Sequence, residues 1–220
     1  MDFTLSREWD TREATENLLA HGVSIFPGLV DRNSADRFRN YTLARNARLE
    51  KDEMVYVMNS FTKQKQTRWS FAFSPGDDAS ILGFLEQIGR NEKLQQLLEG
   101  FLGQDPAIIK MQTITAKYGA ESQGWHPDVN AKSSSLSHAR DFLMHFSLFV
   151  ALQDTPPRMG ATGICPGTHY CASVDDDAYD NGCLQVRTGT DSNGRDVWLA
   201  GDAVLMNQNT WHRGWAHTLR

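Results

Sequence analysis

The stretch GWHPDVN, residues 124–130, sets an imidazole, His126, and a carboxylate, Asp128, two positions apart. In extended chain, residues i and i+2 project to the same side, so both groups aim at one region of space. Two arrangements use such a pair: a shared metal ion, or an exposed polar pair in a loop. A second imidazole, His212, stands in LMNQNTWHRGW, directly after the apolar run DAVLM. Two imidazoles and one carboxylate can occupy one face of an octahedral iron and leave three positions open for other ligands. Taken singly, His-x-Asp is common by chance and His212 is equally a satisfied core or rim histidine. Taken together, with the second histidine at the end of a late strand, they point to a metal.

The elements that must position these residues change character near residue 105. In residues 1–105 the pattern is mainly helical. TREATENLLAHG has Thr11 as a cap, Leu18 and Leu19 as apolar anchors and Gly22 as a stop; VSIFPGLV reads as a strand cut by Pro27-Gly28. A helix resumes from Asp31 or Ser34, FTKQKQTRWSFAFSPGDD reads as loop, and ASILGFLEQIGRNEKLQQLLEGFLG supplies two more helices. Residues 106–220 are expected to be strands: AIIKMQTITAKYG alternates, FLMHFSLFVAL suits a strand buried on both faces, and RDVWLAGDAVLMNQNTWHRG reads as strand, Gly201-Asp202 turn, strand and a short further strand. Strands divided by turns with no helical pattern between them suggest a β-sandwich or jelly roll. We expect one domain, the two parts forming one compact unit.

Composition limits the partners. Net charge is −5 with an isoelectric point near 5.8 and no basic run, which argues against nucleic acid and acidic membrane surfaces. No run approaches the ~20 apolar residues of a membrane span, so the chain is expected to be cytoplasmic. Cys165, Cys171 and Cys183 are odd in number and lack CxxC spacing, so reduced thiols are expected rather than a disulfide framework. Cys165, His169 and Cys171 match no usual zinc spacing, and Pro166-Gly167 between them marks a turn.

Four segments together carry a resemblance: LLAHGVSIFPGLVD, GWHPDV, GATGICPGTH and AGDAVLMNQNTWHRG, in that order along the chain. The sequence resembles the phytanoyl-CoA dioxygenase family of Fe(II)- and 2-oxoglutarate-dependent oxygenases. The resemblance implies an α+β protein with a double-stranded β-helix (jelly roll) core and N-terminal helices packed on it. It implies His126, Asp128 and His212 as iron ligands, 2-oxoglutarate as co-substrate, O₂ as oxidant and a small organic molecule as substrate. The carboxylate at Asp128 implies hydroxylation or a related oxidation, because related halogenating enzymes carry a small residue there. Two other classes stay open: a non-catalytic jelly-roll metal-binding protein, and a cupin-like metalloenzyme working without 2-oxoglutarate.

The far carboxylate of 2-oxoglutarate calls for a cation, best an arginine fork. The resemblance implies an arginine on the strand after the distal histidine, and Arg220 is the candidate. An alternative is that this arginine and the closing strand lie beyond the end of the sequence. Arg213, next to His212, is expected to point away from the metal. Lys117 is a further candidate cation. In FLMHFSLFVAL, parity puts Leu143, His145, Ser147, Phe149 and Ala151 on one face and Phe142, Met144, Phe146, Leu148 and Val150 on the other, so His145 and Ser147 are candidates to line a polar pocket. Trp125 and Trp211 are candidate walls of a substrate cavity, with plain packing the alternative. Thr168 and His169 suit a structural turn, and His217 is a rival third ligand with poorer context. Substrate identity and oligomeric state do not follow.

Overall fold

The computed structural model describes residues 5, 8–51, 67–129, 145–170 and 182–220. Cys171 and residues 142–144 of the apolar run lie outside the described residues.

Four helices open the chain: α1 (Thr11–His21), α2 (Arg32–Lys51), α3 (Ala79–Gly89) and α4 (Glu92–Leu102). The cap of α1 is Asp10, one residue before the expected Thr11; its carboxylate accepts the Glu13 N–H at 2.7 Å and satisfies a donor the helix leaves unpaired. Gly22 ends α1 in the left-handed conformation, φ 71°. No side chain would fit there, because a Cβ on Gly22 would lie 2.5 Å from both His169 Nδ1 and Thr210 Oγ1. The Gly22 carbonyl also accepts the Asn207 N–H (2.9 Å) and the Thr210 hydroxyl (3.0 Å). The first helix is thereby tied to the turn that precedes His212.

The strands pair antiparallel. β1 (Val23–Phe26), β9 (Ala203–Asn207) and β4 (Phe146–Val150) form one sheet in the order β1-β9-β4. β10 (His212–Gly214), β5 (Thr162–Ile164) and β6 (Leu184–Gln185) form a second, ordered β10-β5-β6. Two ribbons complete the set among the described residues, β2 (Arg68–Ala72) with β3 (Gln112–Ala116), and β7 (Gly189–Thr190) with β8 (Asp196–Val197). The architecture is helices with antiparallel sheets, and β1 belongs to the main sheet although it lies in the helical half. The stretch read as loop contains β2, which is held by all five of its residues pairing with β3.

Alternation along β1 and β9 explains the two layers of core. Phe26, Ala203 and Leu205 face outward and pack with Leu18 of α1 and Leu94 and Leu97 of α4. Val23, Ile25, Val204 and Met206 face inward and pack with Ile164 of β5 and Val186. Both faces of β9 are therefore apolar, as a central strand requires, and each fully buried Leu or Met here contributes about 2 kcal/mol. β4 is only half-buried at all five residues, not buried on both faces. It is an edge strand among the described residues, with β9 on one side only.

Cys165 and Cys183 form a disulfide, contrary to the expectation of reduced thiols. The register explains the contact: β5 pairs Ile164 with Leu184, so the next residue on one strand meets the previous residue on the other. Among the described residues no helix is long and apolar enough to cross a membrane.

Candidate metal centre

His126 and His212 meet across an antiparallel bridge in which each N–H donates to the other's carbonyl, at 3.1 and 2.9 Å. A pair that exchanges both hydrogen bonds sends its two side chains to the same side of the ladder. The imidazole centroids are 4.6 Å apart and tilted by 50°. Asp128, two positions on, is anchored through its N–H to the Gln208 carbonyl at 2.9 Å, and its Oδ1 lies 3.5 Å from His212 Nε2. One donor atom from each of His126, Asp128 and His212 lies within 4.8 Å of the others. Small side-chain rotations bring such donors onto one ion at about 2 Å each.

The backbone decides which nitrogen each imidazole presents. His126 Nδ1 sits 2.8 Å from the Gly124 carbonyl, and His212 Nδ1 sits 3.0 Å from the Thr210 carbonyl. A carbonyl only accepts, so Nδ1 carries the proton and Nε2 keeps its lone pair. Burial, aided by the neighbouring His212, holds the His126 pKa below the ordinary histidine value, which keeps the ring neutral and able to bind a metal. Burial alone would raise the Asp128 carboxyl. The His212 ring, the Ser147 hydroxyl and His126 outweigh it and hold the group below the usual carboxylate range. Asp128 Oδ2 accepts the Ser147 hydroxyl at 2.7 Å, and Phe149, two residues further along β4, sets its ring 5.8 Å from that of His212.

Beside this cluster lies a charge that sequence reasoning missed. Arg68 of β2 is only 2 % exposed. It donates through Nη2 to the carbonyls of Glu121 and Trp215, both at 3.1 Å, while its Nε has no partner. Among the described residues no carboxylate pairs with it, and burial alone lowers its pKa. Its charge is felt at His126. Its Nη1 rests against Gly214, where a Cβ would come within 2.1 Å of it. Gly214 is two residues beyond His212 and so on the same face of β10. A buried guanidinium with no counter-charge is costly unless an anion joins it.

The sequence pattern of Phytanoyl-CoA dioxygenase (PhyH) matches residues 19–218. The chain belongs to the phytanoyl-CoA dioxygenase family. No curated protein matches it by sequence. Several solved structures share its fold. SnoN, an epimerase solved with Fe3+, alpha ketoglutarate and nogalamycin RO, is 17% identical with a TM-score of 0.58, covering 95% of this chain and 78% of SnoN. AviO1 of Streptomyces viridochromogenes Tue57 is 17% identical with a TM-score of 0.59, covering 97% and 90%. HygX of Streptomyces hygroscopicus, solved with nickel, 2-oxoglutarate and hygromycin B, is 12% identical with a TM-score of 0.59, covering 96% and 84%. At these identities the neighbours show a shared fold.

Against this family background the remaining candidates fall in different places. Arg220 is exposed; its Nε donates to the Tyr118 hydroxyl at 2.8 Å and its guanidinium lies over that ring. Lys117 stacks its ammonium 5.2 Å from the Trp69 ring. Trp69 neighbours Arg68 and so faces the other side of the β2–β3 ribbon. Arg213 turns away from His212 and stacks on Trp125 (4.2 Å) and Trp215 (3.7 Å). Trp125 is thus buried in a Trp–Arg–Trp stack. Trp211 is half-buried; its N–H donates to Thr168 Oγ1 and its carbonyl accepts from Cys165. Thr168 and His169 are buried in the turn, with His169 Nε2 3.2 Å from the Leu19 carbonyl. His217 Nδ1 is engaged by the Ala116 carbonyl at 2.9 Å, outside the cluster. His145 stands just before β4, its carbonyl accepting the Gln208 N–H at 3.0 Å, and Ser147 alone of that pair contacts the cluster through its side chain. The one sequence signal for Arg68 was the alternation of Trp69, Phe71 and Phe73, which marks a strand and would have turned Arg68 to the opposite face.

Proposed function

We propose that this member of the phytanoyl-CoA dioxygenase family is an Fe(II)- and 2-oxoglutarate-dependent oxygenase with a jelly-roll core, acting on a small organic molecule with O₂. The observation that carries the reading is the convergence of His126, Asp128 and His212 with both imidazoles fixed to present Nε2. Two nitrogens and one carboxylate oxygen, with no fourth such donor grouped with them among the described residues, suit ferrous iron; a structural zinc site would close itself with four ligands, usually including thiolates. SnoN and HygX, solved with a metal and the keto acid, support the same assignment.

Iron and 2-oxoglutarate, when bound, would supply the oxidising power. The chain supplies position and environment. His126 and His212 would hold the metal through Nε2 while the Gly124 and Thr210 carbonyls keep the Nδ1 protons in place. Arg68 would meet the far carboxylate of 2-oxoglutarate through Nη1, taking the part first given to Arg220, while the Glu121 and Trp215 carbonyls hold Nη2 in place. Phe149 excludes water from one flank of His212, which strengthens the electrostatics of the site. Asp128 keeps a carboxylate where a halide would need space, so the outcome is hydroxylation or another oxidation without halogen.

The test is to load the metal-free protein with Fe(II) under argon, add 2-oxoglutarate and admit O₂. Succinate should form at a rate that depends on Fe(II) and disappears in His212→Ala. Stoichiometric iron binding without any succinate, across a panel of small organic substrates, would leave a metal-binding protein and overturn the proposal.

A further inference from the structure

Resting on the reading of His126, Asp128 and His212 as a metal site, we infer that Ser147 is a positioning residue that keeps Asp128 a one-oxygen ligand. Its hydroxyl donates to Asp128 Oδ2 at 2.7 Å, while the other oxygen, Oδ1, is the one that faces His212 Nε2 at 3.5 Å. An ionised carboxylate only accepts, so the direction of this bond is fixed. The two oxygens are thereby given different tasks: Oδ1 faces the other donors and Oδ2 is held back.

The backbones of both residues are pinned, so the contact is not a chance meeting of mobile side chains. Ser147 is paired in register with Met206 of β9. The Gln208 peptide that follows β9 bridges the two: its N–H donates to the His145 carbonyl at 3.0 Å, and its carbonyl accepts the Asp128 N–H at 2.9 Å. In β4 the other inward residue is Phe149, whereas Phe146, Leu148 and Val150 pack toward the helices. Ser147 places a hydroxyl on an otherwise apolar strand, directed at the carboxylate.

The consequence concerns coordination number. A carboxylate can grip a cation with one oxygen or with both. An octahedral ion with three protein donors has three free positions, which 2-oxoglutarate and O₂ together would fill. A second oxygen from Asp128 would take one of them, and the position left short is that of the diatomic ligand. Ser147 prevents this by occupying Oδ2.

Nitric oxide, a non-reacting stand-in for O₂, tests the point without turnover. The protein is loaded with Fe(II) and 2-oxoglutarate under argon and titrated with nitric oxide, followed by electron paramagnetic resonance. Fe(II) affinity and thermal melting are measured in parallel. Ser147→Ala should bind nitric oxide about tenfold more weakly than wild type, the scale of a lost hydrogen-bond partner to a metal ligand, with an altered signal shape and an unchanged melt. Ser147→Thr, which keeps the hydroxyl, should restore the wild-type values. Should alanine perturb the melt, Ser147→Cys, of similar volume and a poor donor, replaces it. Wild-type affinity and signal in the donor-less variant would overturn the positioning role while leaving the metal site intact. Failure of wild type itself to bind Fe(II) would remove the site reading and this role with it.

Discussion

The main chains of His126 and His212 hydrogen-bond to each other in both directions, at 3.1 and 2.9 Å, and this bridge fixes the separation of their rings. The imidazoles are thus placed by backbone pairing before any ion arrives, and removing one ring leaves the bridge in place.

His126→Ala and His212→Ala are therefore expected to fold and to lose metal binding. Wild type should gain thermal stability with Fe(II), by about 2.7 kcal/mol at a hundredfold excess over the dissociation constant. Both variants should melt at the same temperature with and without the ion. Stoichiometric iron in the double variant, measured after desalting, would refute the ligand assignment.

Arg68→Met should weaken 2-oxoglutarate binding by about 2 kcal/mol or more, the usual scale for truncating one partner of a buried charge pair, which is roughly 30-fold. Arg220→Ala, at the surface, should leave it unchanged. Titration calorimetry on the Fe(II)-loaded protein under argon separates the two, and the reverse order of effects would return the role to Arg220.

Reduction of the Cys165–Cys183 bond should lower stability. The bond spans 18 residues, and closing a loop of about that length stabilises by about 3 kcal/mol. Cys183→Ser should show the same loss without reductant and no further loss with it. Denaturant melts with and without dithiothreitol measure both.

The acid limb of stability should carry a contribution from Asp191. Its carboxylate accepts the Arg195 Nε at 2.8 Å and the backbone N–H groups of Asn193 and Arg195 at 2.9 and 3.0 Å. The Arg195 side chain, then its backbone, hold the pKa at about 2, below the unfolded value of about 3.9. A depressed pKa stabilises above the unfolded value and is lost as pH falls through the folded one. The loss should therefore run from about pH 4 down to about pH 2 and be absent in Asp191→Asn; a carboxyl titration by NMR near 4 would contradict it.

What the sequence exposed depended on how local the signal was. His126 and Asp128 share a side through a two-residue spacing, and His212 follows an apolar strand; both are short-range patterns. Parity in FSLFV likewise separated Ser147 and Phe149 from Phe146, Leu148 and Val150. The same parity sends Trp125 away from His126, a step that sequence reasoning did not take. Arg68 was hidden because segments distant in sequence, at Glu121 and at Gly214 and Trp215, enclose it, and a buried cation without a carboxylate partner runs against every compositional rule. The disulfide was hidden because spacing rules for cysteine are local, whereas Cys165 and Cys183 meet through the register of β5 with β6.

The carbonyl of Gly22, which receives both Asn207 and the Thr210 hydroxyl, changes what counts as the smallest working piece of this molecule. Residues 106–220 contain all three proposed metal ligands, His126, Asp128 and His212, yet the turn leading into His212 rests on a post supplied by the first helix. A fragment cut to the strands would keep the ligands' chemistry and lose their alignment. For anyone dissecting or grafting this centre, the opening two dozen residues are part of the tool.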